Sequence, residues 1–262
     1  MMLTDTHCHL AATPLINKLP EIITAASAAN VKGFIVPSIQ EQDWQTVLHL
    51  FRQPEIRAVA LGIHPWFSGS LNQDNLSQLN VLLSENPNIW VGEIGLDFYP
   101  KQLAFNAQEQ QIWAFEQQID LAKQHQRPVI LHNVKASAAL LHSIKNHAFT
   151  YGGIVHAFSG SLEEAQAFIK LGFKIGIGTL LLNPNAKKVR HAASTLPLDA
   201  LLLETDSPYM LPENPNTPAN LFQIAQIVCT LRGIKLSQLA QACENNLQTL
   251  FPSTIFRQPN HA

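Results

Sequence analysis

Eight short apolar or β-branched runs, fairly evenly spaced and separated by longer amphipathic stretches, constrain this chain more than any other feature. The runs are Met2 to His7, Gly33 to Pro37, Arg57 to Ile63, Ile89 to Ile94, Pro128 to His132, Gly153 to Ala157, Phe173 to Gly178 and Leu201 to Thr205. Each reads as a strand. Between them, Pro20 opens a helix-like segment, and Asp74 to Ser84 and Ala107 to His125 show helical apolar spacing. In the last of these, Ile112, Phe115, Ile119 and Ala122 predict one buried stripe opposite a Gln-rich solvated face. Further helices are expected from Asn183-Pro184-Asn185, from Thr217-Pro218 to about Arg232, and from about Leu236 to Leu250.

Alternating strands and helices imply parallel strands with right-handed crossovers, and their natural closed form is a (β/α)₈ TIM barrel, here with an extra C-terminal helix. An open doubly wound sheet is the alternative. At 262 residues and 46% hydrophobic content the chain can fill one barrel, so residues 1–262 are expected to form a single domain. The apolar runs are too short to cross a bilayer and the N-terminus carries no signal-peptide pattern, so a cytoplasmic location is expected. Cys8, Cys229 and Cys243 form no Cys-x-x-Cys pair and read as buried thiols. A net charge of −2 and the lack of a basic block disfavour tight passive nucleic-acid binding. They do not disfavour a nuclease whose cationic character comes from bound metal.

The polar residues decide between the two architectures, because only a barrel gathers all strand ends around one mouth. Strand one ends in His7-Cys8-His9, strand three in Gly62-Ile63-His64-Pro65, and strand four in Gly92-Glu93-Ile94-Gly95-Leu96-Asp97. Strand five ends in Leu131-His132, strand six in Val155-His156, and strand eight in Glu204-Thr205-Asp206. A bare His-x-His is weak evidence, since 11 histidines supply one by chance in roughly four of ten such chains. On an extended strand His7 and His9 would share a face and Cys8 would turn to the wall. Any single strand-end residue could also be a plain cap. Several strands doing this together point to a metal site. Mixed imidazole and carboxylate donors suit Zn²⁺, Mn²⁺, Fe²⁺ or Co²⁺ better than Ca²⁺. A single hydrolytic ion takes about three protein ligands, so His7, His9, Glu93, His132, His156 and Asp206 suggest two ions with Glu93 as the bridge. The chemistry implied is hydrolysis by an activated water.

These blocks, with Asp5-Thr6-His7-Cys8-His9-Leu10, Val155-His156-Ala157-Phe158-Ser159-Gly160 and Leu203-Glu204-Thr205-Asp206-Ser207-Pro208-Tyr209, fall in the order found in the TatD-type metal-dependent hydrolases, an amidohydrolase-like barrel family that the whole chain resembles. The resemblance implies that His7, His9, Glu93 and Asp206 hold one divalent ion, and Glu93, His132 and His156 the other. It implies phosphodiester hydrolysis of DNA, at single-stranded or 3′ ends, commonly as a 3′ to 5′ exonuclease. Asp206 then also orients or deprotonates the attacking water. His64 matches an active-site position that is not a ligand, and is read as a donor to phosphate or to developing charge. Asp5, Asp97 and Glu204 are candidates to accept the second ring proton of metal-bound histidines. Substrate contacts are expected from His64, Lys135 and Ser159, although Ser161, two residues on, reads as a helix cap.

The chain departs from the pattern twice. Many relatives carry an arginine two residues after the strand-five histidine, where Val134 stands here and Lys135 follows. Near Asn214-Pro215-Asn216-Thr217-Pro218 the place of another arginine is taken by Pro215. Lysine is a point charge and not a bidentate fork, so phosphate would be held differently. Two other readings therefore stand: an amidohydrolase-like enzyme cleaving a small ester, lactone or amide, and a barrel kept as a non-enzymatic metal-binding or interaction module. Neither a membrane nor an obligate protein partner is expected. His49, His125, His142, His147 and His191 read as surface residues on or beside helices, and His261 as part of the tail. Trp44, Trp90 and Trp113 read as packing residues, whereas Trp66 lies on a mouth loop where it could stack on a base.

Overall fold

Residues buried on both faces make near-continuous apolar strands, and that is the composition a parallel sheet sheathed in helices requires. The computed structural model describes residues 2–211 and 215–251, so Asn214 and His261 lie outside the described residues. Its strands are β1 (Leu3–Asp5), β2 (Val31–Pro37), β3 (Ile56–Leu61), β4 (Trp90–Asp97), β5 (Val129–Val134), β6 (Gly153–Val155), β7 (Phe173–Ile177) and β8 (Leu201–Leu203). They pair in parallel in sequence order. The helices among the described residues are α1 (Thr13–Ile16), α2 (Leu19–Ala28), α3 (Trp44–Leu50), α4 (Gln73–Glu85), α5 (Pro100–Leu103) and α6 (Gln108–Gln124). They continue as α7 (Ser137–Asn146), α8 (Leu162–Ile169), α9 (Lys187–Thr195), α10 (Leu221–Arg232) and α11 (Leu236–Gln248). This is a TIM barrel, and α11 is the extra C-terminal helix. No helix among the described residues is long and apolar enough to cross a membrane.

β1 ends at Asp5, two residues earlier than the sequence pattern suggests. The chain then leaves the regular ladder to form the seam with β8. Thr6 N–H donates to Leu203 O (3.0 Å), Asp206 N–H to His7 O (2.9 Å) and His9 N–H to Ser207 O (2.7 Å). Cys8 makes an isolated parallel bridge to Ser207 and is fully buried. Asp5 fastens the seam with its side chain, accepting from Thr205 N–H (3.0 Å) and from the Thr205 hydroxyl (2.6 Å). The closure of the barrel therefore sets His7, His9 and Asp206 side by side.

The opposite end is plugged by α11. The Thr4 hydroxyl and the Arg57 guanidinium both donate to Glu244, the latter at 3.0 Å, and Asn246 Nδ2 donates to Leu198 O and Leu201 O at 2.8 Å each. The helix expected at Asn183-Pro184-Asn185 begins later, at Lys187. Asn183 Oδ1 instead accepts from Asn185 N–H at 2.9 Å, a local side-chain turn that competes with helix nucleation.

α6 corrects the amphipathic reading of its sequence. Phe115, Ile119 and Ala122 are buried as expected, but so are Gln111 and Gln118, while Ile112 is only partly covered and Trp113 is exposed instead of packed. Both glutamines clamp mouth-side backbone. Gln118 accepts from Ile63 N–H (2.7 Å) and donates to Ile63 O (3.1 Å), while Gln111 accepts from Asp97 N–H (2.8 Å) and donates to Asp97 O (3.0 Å). Each amide thus satisfies the two main-chain groups of a residue at or beside the site. Replacing Gln118 by alanine strands both groups of Ile63, and a buried unsatisfied polar group costs roughly 1–3 kcal/mol. We expect Gln118→Ala to lose about 2–4 kcal/mol in urea unfolding. A loss below about 0.5 kcal/mol would mean that the clamp contributes nothing.

Candidate metal centre

The histidines at the ends of strands one, three, five and six converge on one carboxylate. Glu93 is buried midway along β4, with its N–H donating to Ser38 O at 2.8 Å. Gly95, two residues on, has φ +142, and a Cβ there would collide with the His132 backbone, so glycine is needed for β4 to pass β5 at this point. The peptides Gly92–Glu93 and Ser207–Pro208, on either side of the mouth, are cis.

The two Glu93 oxygens face different partners. Oε2 lies 3.1 Å from His7 Nε2 and 3.5 Å from His9 Nε2. The same two nitrogens lie 3.6 Å and 3.2 Å from Asp206 Oδ1. Oε1 lies 2.7 Å from His156 Nε2, 2.9 Å from His132 Nδ1 and 3.3 Å from His64 Nε2. His7 and His9 converge, with Nε2 atoms 3.0 Å apart, although both lie beyond the regular strand whose alternation suggested it. Asp206 has φ +57, Ala157 φ +45 and Lys135 φ +56. Three non-glycine residues thus hold left-handed backbone at strand ends around the mouth, at about 1–2 kcal/mol each, a strain that clusters at working sites.

Hydrogen bonds at the far side of the His132 and His64 rings separate ligand from donor. His132 Nε2 faces Asp97 Oδ2 at 3.3 Å, an acceptor that keeps a proton on that nitrogen and turns the Nδ1 lone pair toward Glu93. His64 is reversed: its Nδ1 accepts from Trp66 N–H at 3.1 Å, so in the neutral ring the proton sits on Nε2, which can donate but not ligate. Sharing Glu93 with the other imidazoles thus does not make His64 equivalent to them.

Of the other acceptors expected behind the histidines, Asp5 and Glu204 are placed differently. Asp5 binds Thr205 and, at 3.3 Å, the His7 main-chain N–H, and no ring nitrogen, because the seam draws it toward β8. Glu204 Oε1 accepts from Ala157 N–H and stands 3.8 Å from His156 Nδ1, too far for a hydrogen bond. Lys135 rests its ammonium 5.1 Å from the centre of the Tyr99 ring. Ser159 is exposed, and Ser161 caps α8, accepting from Glu164 N–H at 3.2 Å. Neither Lys135 nor Ser159 is drawn into the imidazole–carboxylate cluster.

The electrostatics follow from burial against charge. Burial alone would raise Glu93, but His156, His64, His7 and the His132 hydrogen bond outweigh it and hold the carboxyl well below its usual range. Burial likewise opposes ionisation of Asp206, and His9 and His7 lower it on balance. Burial, then the charge of His156, takes His7 down to about 4, and burial with His132 takes His64 to about 4. His132 moves up to about 9, its burial overcome by Asp97 and Glu93, so a cation at Nδ1 competes there with a proton. Burial pushes Asp5 up to about 7 and Glu204 well above the carboxylate range. The charge thus sits on Glu93, Asp206 and Asp97, each facing an imidazole nitrogen, while the deeper Asp5 and Glu204 lean toward neutrality.

Triplets such as His7, His9 and Glu93, or His7, His156 and Asp206, offer donor atoms within 4.8 Å of one another, which fits a divalent cation. Inward-facing imidazole lone pairs and two ionised carboxylates at the C-terminal mouth of a barrel define a metal-dependent hydrolase. The chain matches the family model described as TatD related DNase over residues 4–252. It is 37% identical over 254 residues to an uncharacterized metal-dependent hydrolase, YjjV, of Escherichia coli K12, covering 94% of this chain and 96% of that protein. The crystal structure of the same homologue superposes with a TM-score of 0.88 at 36% identity, covering 95% of this chain and 97% of that one. A protein named 3′-5′ ssDNA/RNA exonuclease TatD from Erwinia billingiae is 30% identical over 258 residues, 94% of this chain and 98% of that protein. The chain belongs to the TatD family of metal-dependent hydrolases.

Gln111, Gln118 and the Trp66 main chain are the contributors that the strand-end pattern missed. The glutamines had a signal, since positions 111, 115, 118 and 122 recur at four, three and four, the spacing of a helical stripe.

Proposed function

We propose that this protein is a two-metal phosphodiesterase that removes nucleotides from the 3′ end of single-stranded nucleic acid, DNA above all, in the cytoplasm. The observation that carries the reading is the division of Glu93: one oxygen turned to His7 and His9, which also face Asp206, the other to His132 and His156. A carboxylate shared in this way suits two cations, with His7, His9, Glu93 and Asp206 around one and Glu93, His132 and His156 around the other. When bound, such ions would polarise the phosphorus centre and make water acidic enough to attack near neutral pH.

The chain's own groups supply the rest. Asp206, ionised by its histidine neighbours, directs Oδ1 at His7 and His9, which leaves Oδ2 to orient the attacking water and take its proton. His64, neutral with its proton on Nε2, donates a hydrogen bond to a non-bridging phosphate oxygen without adding charge. Asp97 keeps His132 in the ligating tautomer. Lys135 and Ser159, on the loops after β5 and β6, meet neighbouring phosphates. The name of the Erwinia relative supports this substrate class.

The test uses protein stripped with a chelator and reloaded with Mg²⁺, Mn²⁺ or Zn²⁺. Stepwise shortening of 5′-labelled single-stranded DNA from its 3′ end, abolished by the chelator and restored by metal, is the expected result. Because Val134 and Pro215 stand where many relatives carry arginine, small esters, lactones and amides form the second arm. Turnover confined to that arm would replace the nuclease reading.

A further inference from the structure

Half-exposed aromatic rings pack against histidines on both sides of Glu93, Trp66 against His64 and Tyr209 against His9. Trp66 is 47% exposed, yet its polar atoms are fastened: its main-chain N–H donates to His64 Nδ1, its carbonyl accepts from Asn106 Nδ2 at 2.7 Å, and its indole N–H donates to Asp97 Oδ2 at 2.7 Å. The Asp97 carboxylate that holds the indole also holds His132. The indole stands edge-on to His64, with centroids 5.0 Å apart, on the Oε1 side of Glu93. On the Oε2 side Tyr209, 46% exposed, packs edge-on against His9 at 5.2 Å, and its N–H donates to Asp206 O at 2.8 Å. Each ring packs edge-on against a cluster histidine, the Trp66 indole bonded in addition to Asp97, and about half of each residue is exposed. An outer-surface aromatic needs no such anchoring, as Trp113 illustrates, being 43% exposed on α6.

We propose that Trp66 and Tyr209 are substrate-positioning residues that stack on the two nucleobases flanking the scissile phosphodiester. This rests on the phosphodiesterase reading and adds what selects the substrate: unpaired bases on both sides of the bond. Rings anchored at fixed places relative to Glu93 set the phosphate over the cluster once the bases are seated. Every base offers a π-face, so the pair tolerates any sequence. Duplex ends, whose bases are stacked on each other, are poor substrates. Stacking also supplies affinity that a chain of net charge −2 lacks, so binding responds weakly to salt.

The experiment measures kcat and KM of metal-loaded wild-type protein, Trp66→Ala, Trp66→Phe, Tyr209→Ala and Tyr209→Phe on a short single-stranded DNA. The same oligonucleotide with a tetrahydrofuran abasic residue on either side of the cleaved bond is run beside it. Each alanine variant is expected to raise KM roughly 5- to 150-fold, the range seen for loss of one base–aromatic stack, with kcat within about threefold. Tyr209→Phe, which keeps its ring, should stay near wild type, whereas Trp66→Phe keeps a π-face but loses the bond to Asp97 and should raise KM less than Trp66→Ala. Removing the matching base should raise wild-type KM by a similar factor and add nothing in the alanine variant. In Trp113→Phe protein, where Trp44 and Trp90 are buried, a phosphorothioate oligonucleotide should quench the fluorescence of Trp66, and Trp66→Phe should abolish the quench. Unchanged KM in both alanine variants, or an equal rise on the abasic DNA, overturns the stacking proposal and leaves the nuclease reading intact. Failure of the wild type to cleave any oligonucleotide overturns both.

Discussion

Glu93→Gln protein will retain less than one metal ion per chain and lose phosphodiesterase activity by roughly 10³-fold or more. The size of the effect follows from its position. Both carboxylate oxygens are engaged, Oε2 with His7 and His9 and Oε1 with His132, His156 and His64, so this one side chain serves both halves of the cluster. Glutamine matches the shape but replaces one oxygen by an NH₂ group, which cannot ligate and points a donor at imidazole lone pairs or a cation. The negative charge that His156, His64 and His7 stabilise disappears with it. The fold should survive, since Glu93 is tied into the barrel by its main chain, through Ser38. Elemental analysis, circular dichroism and turnover on the same preparation check this. A folded variant that binds two ions would rule out the shared carboxylate.

The parts of this molecule legible in the sequence are those in which one residue type repeats a chemical choice at one kind of place. Histidine or a carboxylate follows an apolar run at His7, His64, Glu93, His132, His156 and Asp206, and closing eight strands into a ring makes those positions neighbours whatever the exact strand boundaries. What stayed hidden depends on a partner that only the closed barrel selects. Asp5 looked like a support for a ligand histidine, but β8 lies against β1, and Thr205 offers it both an N–H and a hydroxyl. Gln111 and Gln118 looked solvated because glutamine usually is. They are buried because main chain at the end of β4 and just beyond β3 needs side-chain partners. The roles of His64 and His132 differ through the far nitrogen of each ring, which meets an N–H in one case and a carboxylate in the other. No spacing rule in the sequence carries that distinction.

Asp206→Asn should separate the two halves of the centre where Glu93→Gln collapses both. Asp206 Oδ1 reaches His7 and His9, while His132 and His156 gather on Glu93 Oε1. The asparagine variant is therefore expected to keep one ion, held by Glu93, His132 and His156, and to lose the other. Activity should fall roughly 10²- to 10⁴-fold, because the same substitution removes the group that takes the proton from water. The seam itself should hold, since it is built from Asp206 N–H to His7 O and from Asp5 to Thr205, neither of which uses the Asp206 side chain. His156→Asn makes the reciprocal case: it should lose the ion on the Oε1 side and retain the one among His7, His9 and Asp206. Two variants with complementary single-ion contents, each strongly impaired, mean that both ions are needed for full turnover. Full occupancy in Asp206→Asn, or loss of all metal from both variants, would show that the cluster binds its metal as one undivided site.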